Sequence, residues 1–567
     1  MEDKKIKIKF NVFAIICILI FSIALTPITL QNDTFYTIKI GEHIINNGID
    51  MQDPFSWHED LAYTYPHWAY DTGTYLIYQL GELTGIQEGG MLFIYIATVI
   101  LSCILGIMMY ISCSKITKNN LLSFFSTMFA MYLIKDYIAA RAQLVTFILF
   151  ILTILFIESF IEKNKKRYLV GLVIISIIIA NVHVAVWPFF FVLFMPYVVE
   201  YIIACLKEQK IILRLYKILV NSSIKSYTKK IEKEQNEEQK QILNSKLEKY
   251  KNKIILIEQK LTEKSIKENE KAYKIQVEKH SNVKWLILVM IICILAGLLT
   301  PLGDTPYTYL LKTMQGNTTK NISEHQPLVL YKNVQVMVML GVFLIILIFT
   351  DTKIKLRDCF MLFGLIFLSF MSARQVSMLI LIGVFIFTKF IDYLANKYDE
   401  DGCKYAIILI NTILGRILIL SCVLLVCFCF IKNRKNDNFI NEKKYPVEAA
   451  NWILENLDVE NIHLYNEYNY GSYLLYRGIP VFIDSRADLY APEFNIRDGE
   501  EKGRDIFTDY INISSIGTYY EPKFKEYGIT HAIVINNAKL NIFLSRDSNY
   551  VQLYSDKYFT VYERKTK

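Results

Sequence analysis

The sequence predicts a mainly α-helical, polytopic membrane protein with about 11 transmembrane helices and a small C-terminal α/β domain. Three observations support this fold class. Of the 567 residues, 53% are hydrophobic and only 20% are charged, whereas soluble proteins average about 25% charged residues. The mean hydropathy is +0.29. The apolar residues are gathered in long runs, and a polar segment of alternating strand and helix patterns follows the last of them.

The apolar runs account for the predicted spans. A helix needs about 20 apolar residues to cross a hydrocarbon core of about 30 Å. Runs that approach this length lie at 10–30, 90–113, 121–135, 143–161, 168–184, 186–206, 285–300, 333–350, 357–373, 375–394 and 405–431. The first run follows a basic N-terminus, as in a signal peptide, but no A-x-A cleavage site follows it. We therefore expect it to remain as an anchor.

The distribution of Lys and Arg predicts the orientation, because cytoplasmic loops carry an excess of these residues. Basic clusters occur at the N-terminus and at 115–118, 163–167, 207–284 and 353–357. With the N-terminus in the cytoplasm, all of these clusters are cytoplasmic. The external segments are then 31–89, 136–142, 301–332 and 437–567. The basic segment 432–435 disagrees with this pattern, and 437–567 changes sides if the run 405–431 forms two short spans. We expect a multi-pass protein of the plasma membrane.

Four parts follow from this map. They are an N-terminal transmembrane module (1–206) with a first external loop (31–89), a cytoplasmic insert (207–284), a second transmembrane module (285–436) and an extracytoplasmic α/β domain (437–567). The insert holds 20 Lys or Arg and 11 Glu, so its own net charge is +9, against +8 for the whole chain, and the remainder is close to neutral. This pattern does not favour nucleic-acid binding. Ile and Leu at helical spacing predict a helical hairpin or a short coiled coil in the insert, either as a solvated spacer or as the binding surface of a cytoplasmic partner.

The C-terminal segment has the pattern of a small layered α/β domain. We expect helices at YPVEAANWILENL and GSYLLYRG, and strands at NIHLY, VFID, HAIVI, NYVQLY and YFTVYER. The segment has no Gly-rich phosphate loop. A separate dinucleotide-binding role is therefore not predicted.

The first external loop contains the richest set of ionisable residues. Asp33 follows the first span by a few positions, where a carboxylate can deprotonate an acceptor hydroxyl of a lipid-borne substrate. Its alternative role is a helix cap, because Asn32-Asp33-Thr34 precedes an amphipathic stretch. Asp53 and His67 lie among further acidic and imidazole groups, which predict acceptor contacts or a divalent cation such as Mg²⁺ or Mn²⁺. No fixed ligand spacing supports the metal, and Asp53-Pro54 is also a typical turn start.

Other polar residues recur at the predicted external ends of spans. Arg141 opens the fourth span, His183 closes the fifth, and Arg374 separates the ninth and tenth. Glu324 and His325 lie in the external loop 301–332 and are further acceptor or metal candidates. The planar fork of arginine binds two phosphate oxygens at once, so these arginines favour a site for an anionic lipid head group. The alternative is that each arginine only extends its charge to the membrane interface.

The C-terminal domain contributes one more candidate group. Asp484, Arg486 and Asp488 alternate after the apolar VFI segment. On a continuing strand these three side chains share one face. They would then form a structural ion-pair network or line a carbohydrate groove.

Several fragments in this order resemble a known family. NDTFYTIKIGEHIINNGIDMQDPFSW, HWAYD, ARAQLVTF, NVHVAVWP, TPLGDTPY, ISEHQP and SARQ resemble the membrane half of bacterial GT-C-type glycosyltransferase-like proteins, and YNEYNYGSYLLYRGIPVFIDSRADLY resembles the soluble end of one branch. The resemblance covers nearly the whole chain outside 207–284. It implies a GT-C-like fold and a sugar donor linked to a polyprenyl phosphate. It also implies an essential acidic residue just after the first span, a position that Asp33 occupies.

Together, these expectations describe an inverting sugar transfer at the outer membrane face, to a glycan, lipid or protein acceptor. Asp33 is the expected base, and Arg141, Arg374 and His183 are expected to hold the phosphate of the carrier lipid. A polymerase or ligase of envelope polysaccharides is a second hypothesis. A non-enzymatic scaffold or a transporter of envelope biogenesis is a third, although inverted repeats typical of transporters are not evident in the sequence.

Overall fold

The computed structural model describes residues 2–208, 211–262, 274–316, 318–434, 436–496, 503–517 and 519–565. The chain divides into two compact units. The main unit contains residues 1–193, 289–339 and 362–567, and the insert unit contains residues 194–288 and 340–361. Both are mostly helical, as the composition predicts.

The α-helices follow one another closely along the chain. Before residue 209 they are α1 (Glu2–Leu25), α2 (Asn32–Asn47), α3 (Trp68–Glu82), α4 (Gly89–Thr117), α5 (Asn120–Leu133), α6 (Ala142–Lys163), α7 (Lys166–Val182), α8 (Trp187–Val192) and α9 (Met195–Glu208). Up to residue 434 they are α10 (Ile211–Lys233), α11 (Glu237–Thr262), α12 (Val283–Ala296), α13 (Thr305–Gln315), α14 (Thr318–Asn321), α15 (Val334–Phe349), α16 (Leu356–Met371), α17 (Val376–Tyr398), α18 (Glu400–Asn411) and α19 (Ile413–Asn433). The C-terminal helices are α20 (Val447–Asn456), α21 (Tyr468–Tyr476), α22 (Ile506–Ser515), α23 (Tyr520–Glu526) and α24 (Lys539–Leu544).

Short elements connect these helices. The 3₁₀ helices are Lys135–Tyr137, Val184–Val186, Ser323–His325, Leu330–Lys332, Ala373–Gln375 and Ala487–Tyr490. The strands are β1 (Ile275–Gln276), β2 (Ile354–Lys355), β3 (Leu464–Tyr465), β4 (His531–Ile535), β5 (Tyr550–Ser555) and β6 (Phe559–Arg564).

Five helical segments within the described ranges are long and apolar enough to cross a membrane. They are Gly89–Thr117, Ala142–Lys163, Val184–Lys207, Ala373–Tyr398 and Ile413–Asn433. Shorter apolar helices lie at Phe10–Leu25, Asn120–Leu133, Val283–Ala296 and Val334–Phe349. The structure thus supports a membrane protein, and the predicted count of 11 spans is not confirmed.

The predicted last span, 405–431, is not one helix. The helix is interrupted at Thr412. The Thr412 side chain accepts a hydrogen bond from the Gly415 backbone amide and so caps α19. The 12 residues of α18 extend only about 18 Å, too short for a hydrocarbon core of about 30 Å. Of these two helices, only α19 is long and apolar enough to cross a membrane.

The basic segment 432–435, which disagreed with the charge pattern, has a structural explanation. The Arg434 guanidinium donates to the backbone carbonyls of Ala24, Leu25 and Thr26, each at 2.9 Å. These carbonyls lie at the end of α1, where helices leave acceptors without partners. The C-terminal end of α19 therefore lies beside the C-terminal end of α1. The first loop and the C-terminal domain begin on the same side of the main unit.

The C-terminal domain contains a four-stranded sheet in the order β3-β4-β6-β5. β3 and β4 are parallel, and the other two pairs are antiparallel. The predictions for HAIVI, NYVQLY and YFTVYER are confirmed as β4, β5 and β6. VFID was wrongly predicted as a strand: Val481 makes only an isolated bridge, to Ser56 of the first loop. The apolar residues of this segment are buried. Burial alone requires apolar side chains, whether or not the segment pairs with a neighbouring strand.

The insert unit contains the predicted helical hairpin, formed by α10 and α11. The Tyr227 and Tyr250 rings stack across it with centroids 5.4 Å apart. The predicted insert also includes 209–210 and 263–273, which lie outside the described residues. Beyond it, β1 pairs with β2 in parallel. Beside this pair, Arg357 contacts Glu200 at 3.2 Å, and both side chains are buried.

Candidate functional site

Asp33 lies in the first turn of α2, where the chain leaves α1. The helix begins at Asn32 with Gln31 as its N-cap residue, so Asp33 does not take the capping position that its sequence context allows. Its carboxylate Oδ2 lies 2.8 Å from Nη2 of Arg141, and both side chains remain partly exposed. A half-solvated carboxylate at the boundary of a membrane helix is accessible to an incoming hydroxyl group.

The packing of α2 against α3 positions this carboxylate. Gly41 lies where the two helices approach, and a Cβ atom there would collide with the backbone carbonyl of Asp71. The Thr34 hydroxyl donates to the Ala140 carbonyl at 3.3 Å. These contacts hold the start of α2 beside the residue that precedes Arg141, so the ion pair follows from the arrangement of the backbone.

Arg141 is the N-cap residue of α6 and has an extended backbone. Burial alone lowers the pKa of a guanidinium, but the charges of Asp33 and Glu324 outweigh burial at this position and raise the pKa of Arg141. Arg141 therefore stays cationic. Its Nε is buried without a hydrogen-bond acceptor among the described residues, so this guanidinium retains donor capacity beyond the Asp33 contact.

Arg374 is the second cation of this region. It lies in the 3₁₀ helix before α17, where the Ala373 amide donates to the Gln326 carbonyl at 2.9 Å. Arg374 is half-buried, and its guanidinium has no hydrogen bond or ion pair with any residue that the structure describes. Burial, and then the positive charges of Arg374 and Arg141, lower the pKa of His67, so the charges of both arginines act on the same imidazole.

Histidines surround Arg374 but do not add positive charge at neutral pH. Burial, together with the two arginines, lowers the pKa of His67 to about 3. Burial and Arg374 also lower the pKa of His325. The ring of His67 lies edge-on to that of His183 at 4.8 Å, and His183 is buried with Nδ1 3.2 Å from the Thr146 hydroxyl. The contact of His183 with Thr146 joins the end of α7 to α6. To bind a phosphate through Nδ1, as predicted, His183 would have to give up this contact.

The C-terminal domain reaches the same region through Asp488. The Tyr309 hydroxyl donates to Oδ2 of Asp488 at 2.5 Å. Burial raises the pKa of Asp488, although the Tyr309 hydrogen bond and the positive charge of Arg374 oppose this shift. Asp488 is thus an acidic group of the soluble domain on which the positive charge of Arg374 acts.

Asp484, Arg486 and Asp488 do not lie on a continuing strand, so the expectation of a shared strand face does not apply. The segment after Val481 is irregular and leads into the 3₁₀ helix Ala487–Tyr490. Arg486 forms two hydrogen bonds with the Asp484 carboxylate, at 2.6 and 2.9 Å. Asp488 has a different partner, the Tyr309 hydroxyl.

Arg486 also contacts Asp53 of the first loop, with Nη1 2.7 Å from Oδ1. The side chains of all three charged residues are almost completely buried. Burial raises the pKa of Asp53, but Arg486 and the hydrogen bonds from Ser56 outweigh it and hold this pKa below its usual value. The arrangement is a buried ion triad, Asp53–Arg486–Asp484, that joins the first loop to the C-terminal domain.

The predicted metal candidates are dispersed. Asp53 belongs to the ion triad, His67 packs on His183, and His325 lies 4.0 Å from Glu324. Throughout the described part of the chain, no group of three His, Cys, Asp or Glu side chains is arranged to hold a metal ion. The described residues thus do not provide a ready divalent-cation site.

Two tyrosines of this region were not singled out from the sequence. Tyr309 holds Asp488, as described above. The Tyr468 carbonyl accepts a hydrogen bond from the Asn32 side chain at 3.0 Å, and the charges of Asp33 and Arg141 both act on its hydroxyl. The tyrosine-rich segment YNEYNY was a visible signal, but its contact with Asn32 spans most of the chain and has no local pattern.

Comparisons with known proteins inform the fold. No protein-family model matches the sequence, and no curated protein matches it. Among solved structures, the oligosaccharyltransferase of Archaeoglobus fulgidus in its apo form is similar, with a TM-score of 0.52 and 10% sequence identity. The alignment covers 93% of this chain and 69% of that one. At this identity the match shows the fold alone, and it supports the GT-C-like architecture that the resemblance implied.

Proposed function

We propose that this protein is a membrane glycosyltransferase that moves a sugar from a polyprenyl-phosphate donor to an extracytoplasmic acceptor. The observation that carries the proposal is the unpaired guanidinium of Arg374 near the Asp33–Arg141 ion pair, among the residues that the structure describes. A half-buried cation that forms no ion pair with a described residue favours an anionic ligand. A carboxylate beside it supplies the base that sugar transfer requires.

A phosphate group suits the two arginines. Each guanidinium presents a planar fork that bonds two oxygens. Arg374 has its full donor set free of described partners, and Arg141 keeps donor capacity beyond Asp33. The position of both residues at the ends of apolar helices suits a phosphate whose polyprenyl chain remains in the bilayer.

In the proposed reaction, Asp33 accepts the proton of the acceptor hydroxyl as its oxygen attacks the anomeric carbon of the donor. The bond between this carbon and the phosphate oxygen breaks, and the electron pair leaves with the polyprenyl phosphate. Arg141 and Arg374 stabilise the charge that develops on the departing phosphate. The acceptor oxygen enters opposite the leaving group, so the anomeric configuration inverts. Asp33 then releases its proton to water.

The ion pair has a consequence for the order of events. Arg141 contacts the base before any donor is bound. A donor phosphate that binds Arg141 competes with the Asp33 carboxylate for the same donors. In the proposed mechanism, binding of the donor therefore frees Asp33 to accept a proton, which couples base activation to the presence of the sugar.

The C-terminal domain is the proposed acceptor-recognition element. Asp488 and Tyr309 form a hydrogen-bonded pair, the charge of Arg374 acts on Asp488, and both groups can bond sugar or peptide hydroxyls. The acceptor, whether glycan, lipid or protein, would thus be bound between residues of the membrane half and the soluble domain of the main unit.

The test uses the full-length protein in liposomes with undecaprenyl-phosphate-linked glucose or mannose carrying a radiolabelled sugar. We expect loss of label from the donor and release of undecaprenyl phosphate, with Mg²⁺ and with a chelator compared. In parallel, undecaprenyl phosphate alone should raise the melting temperature of the wild type but not of Arg374→Ala. If no donor is consumed and undecaprenyl phosphate does not stabilise the protein, the proposed function is wrong.

A further inference from the structure

The helical hairpin α10–α11 differs in charge between its two ends. Lys217 contacts Glu258 at 2.7 Å, and Tyr227 stacks on Tyr250, so the two helices run antiparallel in a defined register. The proximal half, next to α9, comprises 211–230 and 246–262 and carries ten Lys or Arg and two Glu. The tip, 231–245, carries two Lys and four Glu. The hairpin is therefore strongly basic at one end and slightly acidic at the other.

The proximal half also exposes apolar side chains. Val220 and Ile257 are buried where the two helices meet. Leu215, Ile218 and Leu219 of α10 are more than half exposed, as are Ile255 and Leu256 of α11. At 100° per residue these side chains of α10 lie on the face opposite Val220. An apolar surface thus lies on the outside of the hairpin. If the hairpin were only a solvated spacer, this surface would be exposed to water.

The connection to α9 places this face near the bilayer. α9 is part of the membrane-spanning segment Val184–Lys207, and α10 begins at Ile211. Leu215 and Leu219 are roughly 6 and 12 Å along α10 from its start, at 1.5 Å per residue. The interfacial layer of a bilayer adds several Å on each side of the hydrocarbon core. Apolar and basic side chains at this distance match the composition of interfacial amphipathic helices.

We propose that the proximal half of the α10–α11 hairpin is a binding surface for anionic phospholipids. The exposed apolar side chains insert at the level of the head groups, and the Lys and Arg residues contact the lipid phosphates. The slightly acidic tip extends away from the negatively charged surface. This inference is independent of sugar transfer, because it rests on residues of the insert unit alone.

Amide hydrogen exchange of the full-length protein tests the proposal in two kinds of nanodisc. One contains only phosphatidylcholine, and the other contains phosphatidylcholine and phosphatidylglycerol in a ratio of two to one. We expect exchange within 211–230 and 246–262 to slow in the phosphatidylglycerol discs and the exchange of the tip to remain unchanged. Added salt should reverse the difference, because it screens exposed charges.

Two matched variants separate the charge effect from the fold. Lys225→Gln with Lys229→Gln removes two charges from the proximal half, and Lys233→Gln with Lys240→Gln removes two from the tip. One lysine near an anionic surface contributes roughly a fivefold preference, so the proximal variant should lose most of the slowing and the tip variant should keep it. Exchange in phosphatidylcholine discs verifies that each variant still forms the hairpin.

A third variant tests the apolar face. Leu215→Ser with Leu219→Ser should reduce the protection in phosphatidylglycerol discs without changing any charge. Equal exchange in both lipid compositions would overturn the proposal and favour a coil for a cytoplasmic protein partner. Equal slowing along the entire hairpin, including the tip, would also overturn it, since a specific proximal surface cannot produce that pattern.

Discussion

The carboxylate of Asp33 lies 2.8 Å from the guanidinium of Arg141. From the sequence, these residues had separate roles, as a base and as a phosphate ligand. The ion pair makes the roles interdependent, because each residue is the other's counterion. A change at either position therefore affects both proposed roles, proton acceptance and phosphate binding.

Replacing the proposed base is the most direct test of the site. Asp33→Asn keeps the size of the side chain but removes the proton acceptor, and we expect transfer to fall by about 10²–10⁴. The melting temperature should change little, since a partly exposed ion pair contributes at most about 1 kcal/mol. Asp136→Asn, at an exposed carboxylate of a nearby 3₁₀ helix, is the control. Unchanged turnover in Asp33→Asn would assign Asp33 a structural role.

Arg374→Lys tests whether Arg374 binds the donor phosphate or only extends its charge to the membrane interface. A lysine retains the charge but loses the fork, so we expect weaker use of the donor, seen as a higher KM for the polyprenyl-phosphate sugar. Arg477→Lys, which alters an arginine bonded to Asn451 within the C-terminal domain, should leave this KM unchanged. Identical donor dependence in wild type and Arg374→Lys would indicate interfacial placement only.

The buried ion triad predicts a large stability effect. Arg486→Met leaves the carboxylates of Asp53 and Asp484 buried without their cation, and breaking such an interaction costs about 3–5 kcal/mol. Thermal or denaturant unfolding of the purified protein measures the loss. Lys523→Met removes a more exposed ion pair with Asp509 in the same domain and should cost at most about 1 kcal/mol. Similar losses in the two variants would contradict the assigned importance of the triad.

The contact between the first loop and the C-terminal domain should weaken in mild acid. Burial lowers the pKa of His58 to about 4, and Nε2 of this residue contacts the Phe482 carbonyl at 2.8 Å. The unfolded chain takes up a proton below about pH 6.5 and the folded chain does not, so stability falls as the pH decreases from about 6.5 towards about 4.

The same group provides its own control. His58→Gln retains a donor to Phe482 but cannot titrate, so its stability should depend less on pH, by up to about 1.4 kcal/mol per pH unit. Unfolding midpoints measured across this pH range give the two slopes. Parallel slopes would show that another group is responsible for the acid sensitivity.

Labelling of introduced cysteines tests the orientation. Asn46 in the first loop, Asn537 in the C-terminal domain and Gln239 at the hairpin tip are positions outside the buried core. In intact cells, an impermeant thiol reagent should label Asn46→Cys and Asn537→Cys but not Gln239→Cys, with the wild type as background. Labelling of only one of the first two would contradict the predicted placement of 31–89 and 437–567 on the same side of the membrane.

The sequence alone was sufficient for features that local patterns encode. Apolar runs predicted the membrane class, helical spacing predicted the α10–α11 hairpin, and short runs rich in β-branched and aromatic residues predicted β4, β5 and β6. These predictions succeed because periodicity reports which face of an element is buried. The VFID segment was wrong for the same reason: its residues are buried, but burial does not reveal whether a neighbouring strand completes a ladder.

Tertiary structure decided how distant charged residues combine. The sequence marked Asp33, Arg141, Asp53 and Arg486 as polar residues in unusual places, but it did not indicate that Asp33 pairs with Arg141 or that Asp53 completes a triad with Arg486 and Asp484. Arg434 likewise caps α1 from a distant part of the chain. Such pairs depend on packing between segments that lie a hundred or more residues apart, and a single sequence contains no periodic signal for the partner of a buried charge.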